Sequence, residues 1–172
     1  MPSRHLDFMK KALTEADNAL KNGEFPVGCV MVHNQKIIAC GRRQNSGANP
    51  SQPVNEIDHA EIMALRELLT LSPQINLAEV TVYATLEPCL MCYATLLISG
   101  IRTIVYAYED AMGGGTMLRL DQLPPLYQGM KITIIPHIMR EESLSLFKQF
   151  FSSGQNAYLK DTLLAAYTLE QR

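Results

Sequence analysis

Two short motifs hold the residues best suited to chemistry: His59-Ala60-Glu61 and Pro88-Cys89-Leu90-Met91-Cys92. One imidazole and two thiolates make three zinc ligands, and tetrahedral zinc takes a fourth. Water in the fourth position is the catalytic pattern; a fourth protein ligand makes a structural site. Cys89 and Cys92 are three residues apart, which sets both sulfurs on one side of a first helical turn. A helix N-terminus favours negative charge and lowers thiol pKa, supporting the thiolates that zinc needs. Glu61 is two residues from His59 and reaches a water on the metal rather than the metal, which suits a general acid/base. Zinc brings the pKa of such a water toward ~7.

These residues need helix starts that face one another. Leu6, Met9, Leu13, Ala16 and Leu20 recur at helical spacing and predict an amphipathic helix that ends near Asn22-Gly23. Residues 26–32 and 36–41 read as strands of a hairpin turning at His33-Asn34-Gln35. Residues 60–71 read as a helix with Asp58 as N-cap and Pro73 after its end. Strands are expected at 80–85, 101–107 and 131–135, and helices at 89–99, 141–151 and 157–169, with Gly100 closing the first of these. A hairpin followed by β/α alternation predicts an α/β layered domain with a mixed sheet. Residues 44–58 hold two Pro, one Gly and three Asn and read as a long loop, a length uncommon unless functional.

The remaining features bound the function. With 172 residues, 47% hydrophobic and 19% charged, the chain fits one globular domain, 1–172, with 140–172 forming C-terminal helices. A net charge of −2 excludes a strongly basic nucleic-acid binder, though not a local basic patch. Four cysteines are too few for a disulfide scaffold. The N-terminus lacks the apolar core of a secretory signal, so a cytoplasmic protein is expected. Cys29 and Cys40 read as core residues, and His5, His33 and His137 as surface or turn residues. Arg42-Arg43 reads as a solvated pair at a strand end. Gly113-Gly114-Gly115 lacks the Gly-Lys-Ser/Thr of a phosphate loop and reads as a flexible turn near the site mouth.

H-x-E followed by P-C-x-x-C resembles the signature of the zinc nucleobase deaminases, the cytidine deaminase superfamily. Within it, the text around Asn22-Gly23-Glu24-Phe25-Pro26-Val27-Gly28, His59 to Arg66 and Thr85 to Cys92 is most similar to bacterial tRNA adenosine deaminases. The resemblance implies a cytidine deaminase-like three-layer α-β-α sandwich with a central mixed sheet of about five strands. It implies one Zn2+ per chain on His59, Cys89 and Cys92, with Glu61 as the proton shuttle. It also implies substrate contacts from Asn45, the Ala60 main-chain N–H and Val27, with Asn49 or Asn55 as alternatives to Asn45. A homodimer follows from the same resemblance.

The substrate stays open at this point. One reading is adenosine to inosine in a tRNA anticodon loop, where a single-stranded base can enter a pocket. A second is a free base, nucleoside or other small amino-heterocycle. A third is a non-catalytic zinc-stabilised subunit, against which the retained Glu61 argues. From Arg140 to Arg172, four basic residues (Arg140, Lys148, Lys160, Arg172) balance four acidic ones (Glu141, Glu142, Asp161, Glu170). That neutral tail offers little to phosphates.

Overall fold

The computed structural model describes residues 2–72 and 74–171. Pro73, expected after the second helix, lies outside them. Helix α1 (Pro2–Lys21) leads into a hairpin of β1 (Gly28–His33) and β2 (Lys36–Arg42). Asn34 and Gln35 turn it, both at positive φ, the backbone that tight hairpin turns require. Then come α2 (Ala60–Leu71), β3 (Thr81–Leu86), α3 (Leu90–Ser99) and β4 (Thr103–Tyr108). The chain continues through a short α4 (Pro125–Gln128), β5 (Thr133–Ile135), α5 (Arg140–Ser153) and α6 (Leu163–Glu170).

The sheet is mixed, in order β2-β1-β3-β4-β5. β1 is antiparallel to β2 and β3, whereas β3, β4 and β5 run parallel. Side chains alternate between two faces, as a pleated strand dictates. Val30, Val32, Tyr83 and Val105 pack with Met9, Ala12 and Leu13 of α1. Cys29, Met31, Val82 and Ile104 pack with Ala64, Leu65 and Leu68 of α2 and with Leu96 and Leu97 of α3. The expected three-layer α/β architecture with five strands is the one observed.

One contact places the second helix. A Cβ at Gly41 would lie 2.1 Å from the Ala60 carbonyl oxygen and 2.5 Å from the Ala64 nitrogen. Bare backbone at Gly41 lets the first turns of α2 sit directly on β2.

Three expectations need correction. The last helix starts at Leu163, not 157: Asn156 Oδ1 accepts from the Tyr158 N–H, Leu159 has positive φ, and Thr162 caps α6. Cys40 is exposed on the edge strand β2, and only Cys29 is core. Arg43 is buried, 2% exposed, rather than solvated.

The C-terminal helices are pinned at the end of β4. Arg140 makes hydrogen-bonded contacts with both oxygens of Glu109, the Tyr167 hydroxyl donates to Glu109, and His137 lies 3.4 Å away. Burial alone would raise Glu109, but the Arg140 and Tyr167 hydrogen bonds outweigh it and hold the carboxyl at about 2. A depressed folded pKa gives stability that is complete above the usual carboxyl value of 4.5 and disappears as pH falls toward 2. Glu109→Gln is therefore expected to lower stability at pH 6 by about 1–2 kcal/mol, allowing for solvent screening, with the gap to wild type closing on acidification. Thermal melts from pH 7 to 2 check this; a gap independent of pH would remove the ion pair from the account.

Candidate active site

Both motifs sit at helix starts. His59 is the N-cap of α2 and Cys89 the N-cap of α3, each with extended backbone and neither making a side-chain capping bond. The expected cap, Asp58, is engaged elsewhere: its carboxylate accepts from Asn45, Asn55 and Arg66. The position that usually folds a side chain back onto a helix here aims a ligand away from it. Two positive helix ends converge on the sulfurs.

His59 Nδ1 lies 3.5 Å from Cys89 Sγ and 3.5 Å from Cys92 Sγ. Tetrahedral zinc with ordinary Zn–S and Zn–N bonds separates N from S by about 3.6 Å, so the donor set fits the ion. The three donor atoms lie within 4.8 Å of one another, and theirs is the one such group among the described residues. His5 instead bonds the Tyr83 hydroxyl, and His33 bonds Glu79. With no fourth protein ligand in the group, the pattern is the catalytic one. Hydrogen bonding from the Cys92 thiol and from His59 holds Cys89 down at about 4 against the opposing effect of burial. The same shared proton pushes Cys92 up, and a cation between the sulfurs takes both as thiolates.

Glu61 is 3% exposed and outside the ligand group; its Oε2 lies 3.6 Å from Cys92 Sγ. Burial pushes its carboxyl up and the Cys89 charge adds to this, while His59 opposes it. A carboxyl raised this way binds its proton more readily than a free one, and standing outside the ligand group it is placed to serve as a general acid/base.

A cavity of about 260 Å³ opens beside these groups. Phe25, Val27 and Leu86 form apolar walls, and His59, Ala60, Glu61 and Cys89 line one side. Ala60 is the first residue of α2, where a backbone N–H has no partner within the helix. Asn45 does not line the cavity; its amide is spent on Asp58. Asn55 bonds the same carboxylate, and Asn49 accepts from the Ser51 N–H. Arg43 reaches the cavity from the end of β2 instead.

Several contributors escaped the sequence reading. Tyr158, Leu159 and Leu164 of the C-terminal segment line the cavity, although no local pattern marks them. Glu87 lines it too, and its carboxylate accepts from the Asp110 N–H, the Thr116 N–H and the Thr116 hydroxyl. The Gly113-Gly114-Gly115 run expected as a flexible turn is closely packed at its centre: a Cβ at Gly114 would come within 2.5 Å of the Glu87 carboxylate. The adjacent Gly115 N–H donates to the Pro88 carbonyl, and Gly114 bridges Cys89, tying this loop to the ligand loop.

Residues 2–108 match the cytidine and deoxycytidylate deaminase zinc-binding region. The chain belongs to this family. It is a zinc deaminase domain, of the hydrolases that act on C–N bonds, and zinc is its cofactor, with His59, Cys89 and Cys92 as the candidate site. The chain is 34% identical over 145 residues to a tRNA-specific adenosine deaminase of Rickettsia felis, covering 83% of this chain and 97% of that protein. It is 35% identical to tRNA-specific adenosine deaminase 2 of Danio rerio, covering 84% and 69%. Among solved structures, one from a study of A-to-I editing by tRNA:A34 deaminases superposes with a TM-score of 0.69 at 27% identity, over 81% of this chain and 98% of that one. A mutant of NE0047 bound to 8-azaguanine shares the fold, with a TM-score of 0.66 at 20% identity over 85% and 83% of the chains. No described helix is long and apolar enough to cross a membrane.

Proposed function

We propose that this chain deaminates adenosine to inosine in the anticodon loop of tRNA. The observation that carries the reading is the 34% identity to the Rickettsia felis tRNA enzyme across 97% of its length. His59, Cys89 and Cys92 would hold zinc, which when bound would supply an activated water as nucleophile. Glu61 moves two protons, the first from the attacking water to the ring nitrogen and the second from the added hydroxyl to the exocyclic amine, whose C–N bond breaks so that ammonia leaves and the carbon keeps a carbonyl oxygen. The Ala60 N–H donates to the ring, while Val27 and Phe25 hold the base flat against an apolar wall. The reading includes one domain over 1–172, one Zn2+ per chain, a homodimer and a cytoplasmic site of action.

Deamination of a small purine or other amino-heterocycle is a second reading. Closure of one side of the cavity by Tyr158, Leu159 and Leu164, leaving about 260 Å³, favours it. The cavity is then near the lower end of small-ligand pockets. An anticodon stem-loop RNA, free bases, nucleosides and 5′-monophosphates are to be assayed side by side for inosine and ammonia. Inosine in the stem-loop is the expected result; turnover confined to small molecules rejects the tRNA substrate in favour of the second reading.

A further inference from the structure

Glu87 is a buried acidic residue that the proton transfers leave unused. It follows β3 directly and precedes the ligand loop at Pro88-Cys89. Its backbone is fixed, the N–H donating to the Tyr108 carbonyl at 2.7 Å. The residue is 6% exposed and lines the cavity, and no ion pair among the described residues involves it. A carboxylate taken out of water without a cation has to be satisfied by hydrogen bonds. The three that Glu87 receives all come from one loop. Oε2 accepts from the Asp110 N–H and Oε1 from the Thr116 N–H, both at 3.2 Å, and the Thr116 hydroxyl donates to Oε1 as well.

Asp110 and Thr116 are the two ends of that loop. Ala111, Met112 and Gly114 between them are exposed, so the loop's place depends on its tethers. The Gly115 N–H donates to the Pro88 carbonyl at 2.9 Å, and Glu87 ties both ends. Asp110 Oδ1 accepts from the Met112 and Gly113 N–H groups, both at 2.9 Å, which makes these three cavity-lining residues one turn.

We infer that Glu87 is a positioning residue for the substrate: its carboxylate clamps both ends of the 110–116 loop and so holds Asp110 and Met112 at the cavity mouth. The inference rests on the proposed deamination of a nucleobase and names the loop that meets the substrate beyond the base. With the reacting amine turned to His59, Cys89 and Glu61, the opposite side of the base, which bears the sugar, is left toward the mouth. The residue type follows from the clamp. A carboxylate accepts on both oxygens, whereas an amide of the same shape accepts on one and sets an NH2 against a backbone N–H at the other. Contacts to a part of the substrate that does not react are made in the ground state and the transition state alike, so their loss is read in KM rather than in kcat.

Wild type, Glu87→Gln and Thr116→Val are to be compared on the anticodon stem-loop, with zinc content and amide hydrogen exchange measured alongside. Glu87→Gln releases one end of the clamp and should raise KM about tenfold, the size of a single hydrogen bond to a charged group, with kcat and zinc content as in wild type. Exchange should rise across residues 110–116 and stay unchanged at Cys89 and Cys92. Thr116→Val removes the hydroxyl alone and should raise KM by a smaller factor. An unchanged KM, or exchange that rises throughout the domain, makes Glu87 a residue of the fold and overturns the inference. A fall in kcat or in zinc with KM unmoved makes it a support of the metal loop and overturns it equally. Should Glu87→Gln not fold, judged by melting, Thr116→Val decides alone: its KM must rise while its zinc content stays that of wild type. A wild type active only on small purines retires the tRNA substrate and leaves the clamp standing; the same KM comparison on that purine then decides Glu87.

Discussion

Glu61→Gln is expected to keep zinc and fold while turnover falls by about 10²- to 10⁴-fold, the range for a lost general acid/base. The amide matches the carboxylate in shape, so the buried site at 3% exposure is not repacked. It cannot take up and release a proton. Because Glu61 lies outside the group formed by His59, Cys89 and Cys92, its replacement leaves the donor set intact. Metal content by elemental analysis, with kcat on the stem-loop, separates the two effects. Turnover near wild type would remove Glu61 from the proton path, and loss of zinc would make it a ligand.

Cys89→Ser is expected to abolish stoichiometric zinc binding and lower stability. Cys89 is held as a thiolate, at about 4, by the Cys92 thiol and His59; a serine hydroxyl stays protonated and is a poor zinc ligand. Metal that binds only the folded chain stabilises it by mass action, about 2.7 kcal/mol at a hundredfold excess over Kd. Chelation should therefore lower the melting temperature of wild type and leave that of Cys89→Ser unmoved. A variant that retains one zinc per chain and still responds to chelator would refute the site.

Locally encoded features were legible in the sequence. Helix α2 spans the expected 60–71, and α3 ends at Gly100, whose left-handed backbone closes it. The ligand motifs were readable because their residue types are rare together. What escaped depends on partners far along the chain. Arg43 reads as solvated beside Arg42, yet Tyr158, 115 residues away, helps bury it. Asn45 had the right chemistry, but Asp58 claims its amide. Residues 157–162 keep helical periodicity in their apolar positions, while Asn156 and Thr162 impose a turn and a cap. No local pattern announces that Leu159 and Leu164 will wall a cavity built from the other end of the chain.

The bonds from Gly114 and Gly115 to Cys89 and Pro88 make the loop at the cavity mouth and the loop bearing a ligand one mechanical body. Asp110, Met112 and Gly113, which line the mouth, ride on that body. A metal held by the ligand loop and a base at the mouth would therefore act on the same piece of structure, and any factor by which one changed the affinity for the other would be returned in kind.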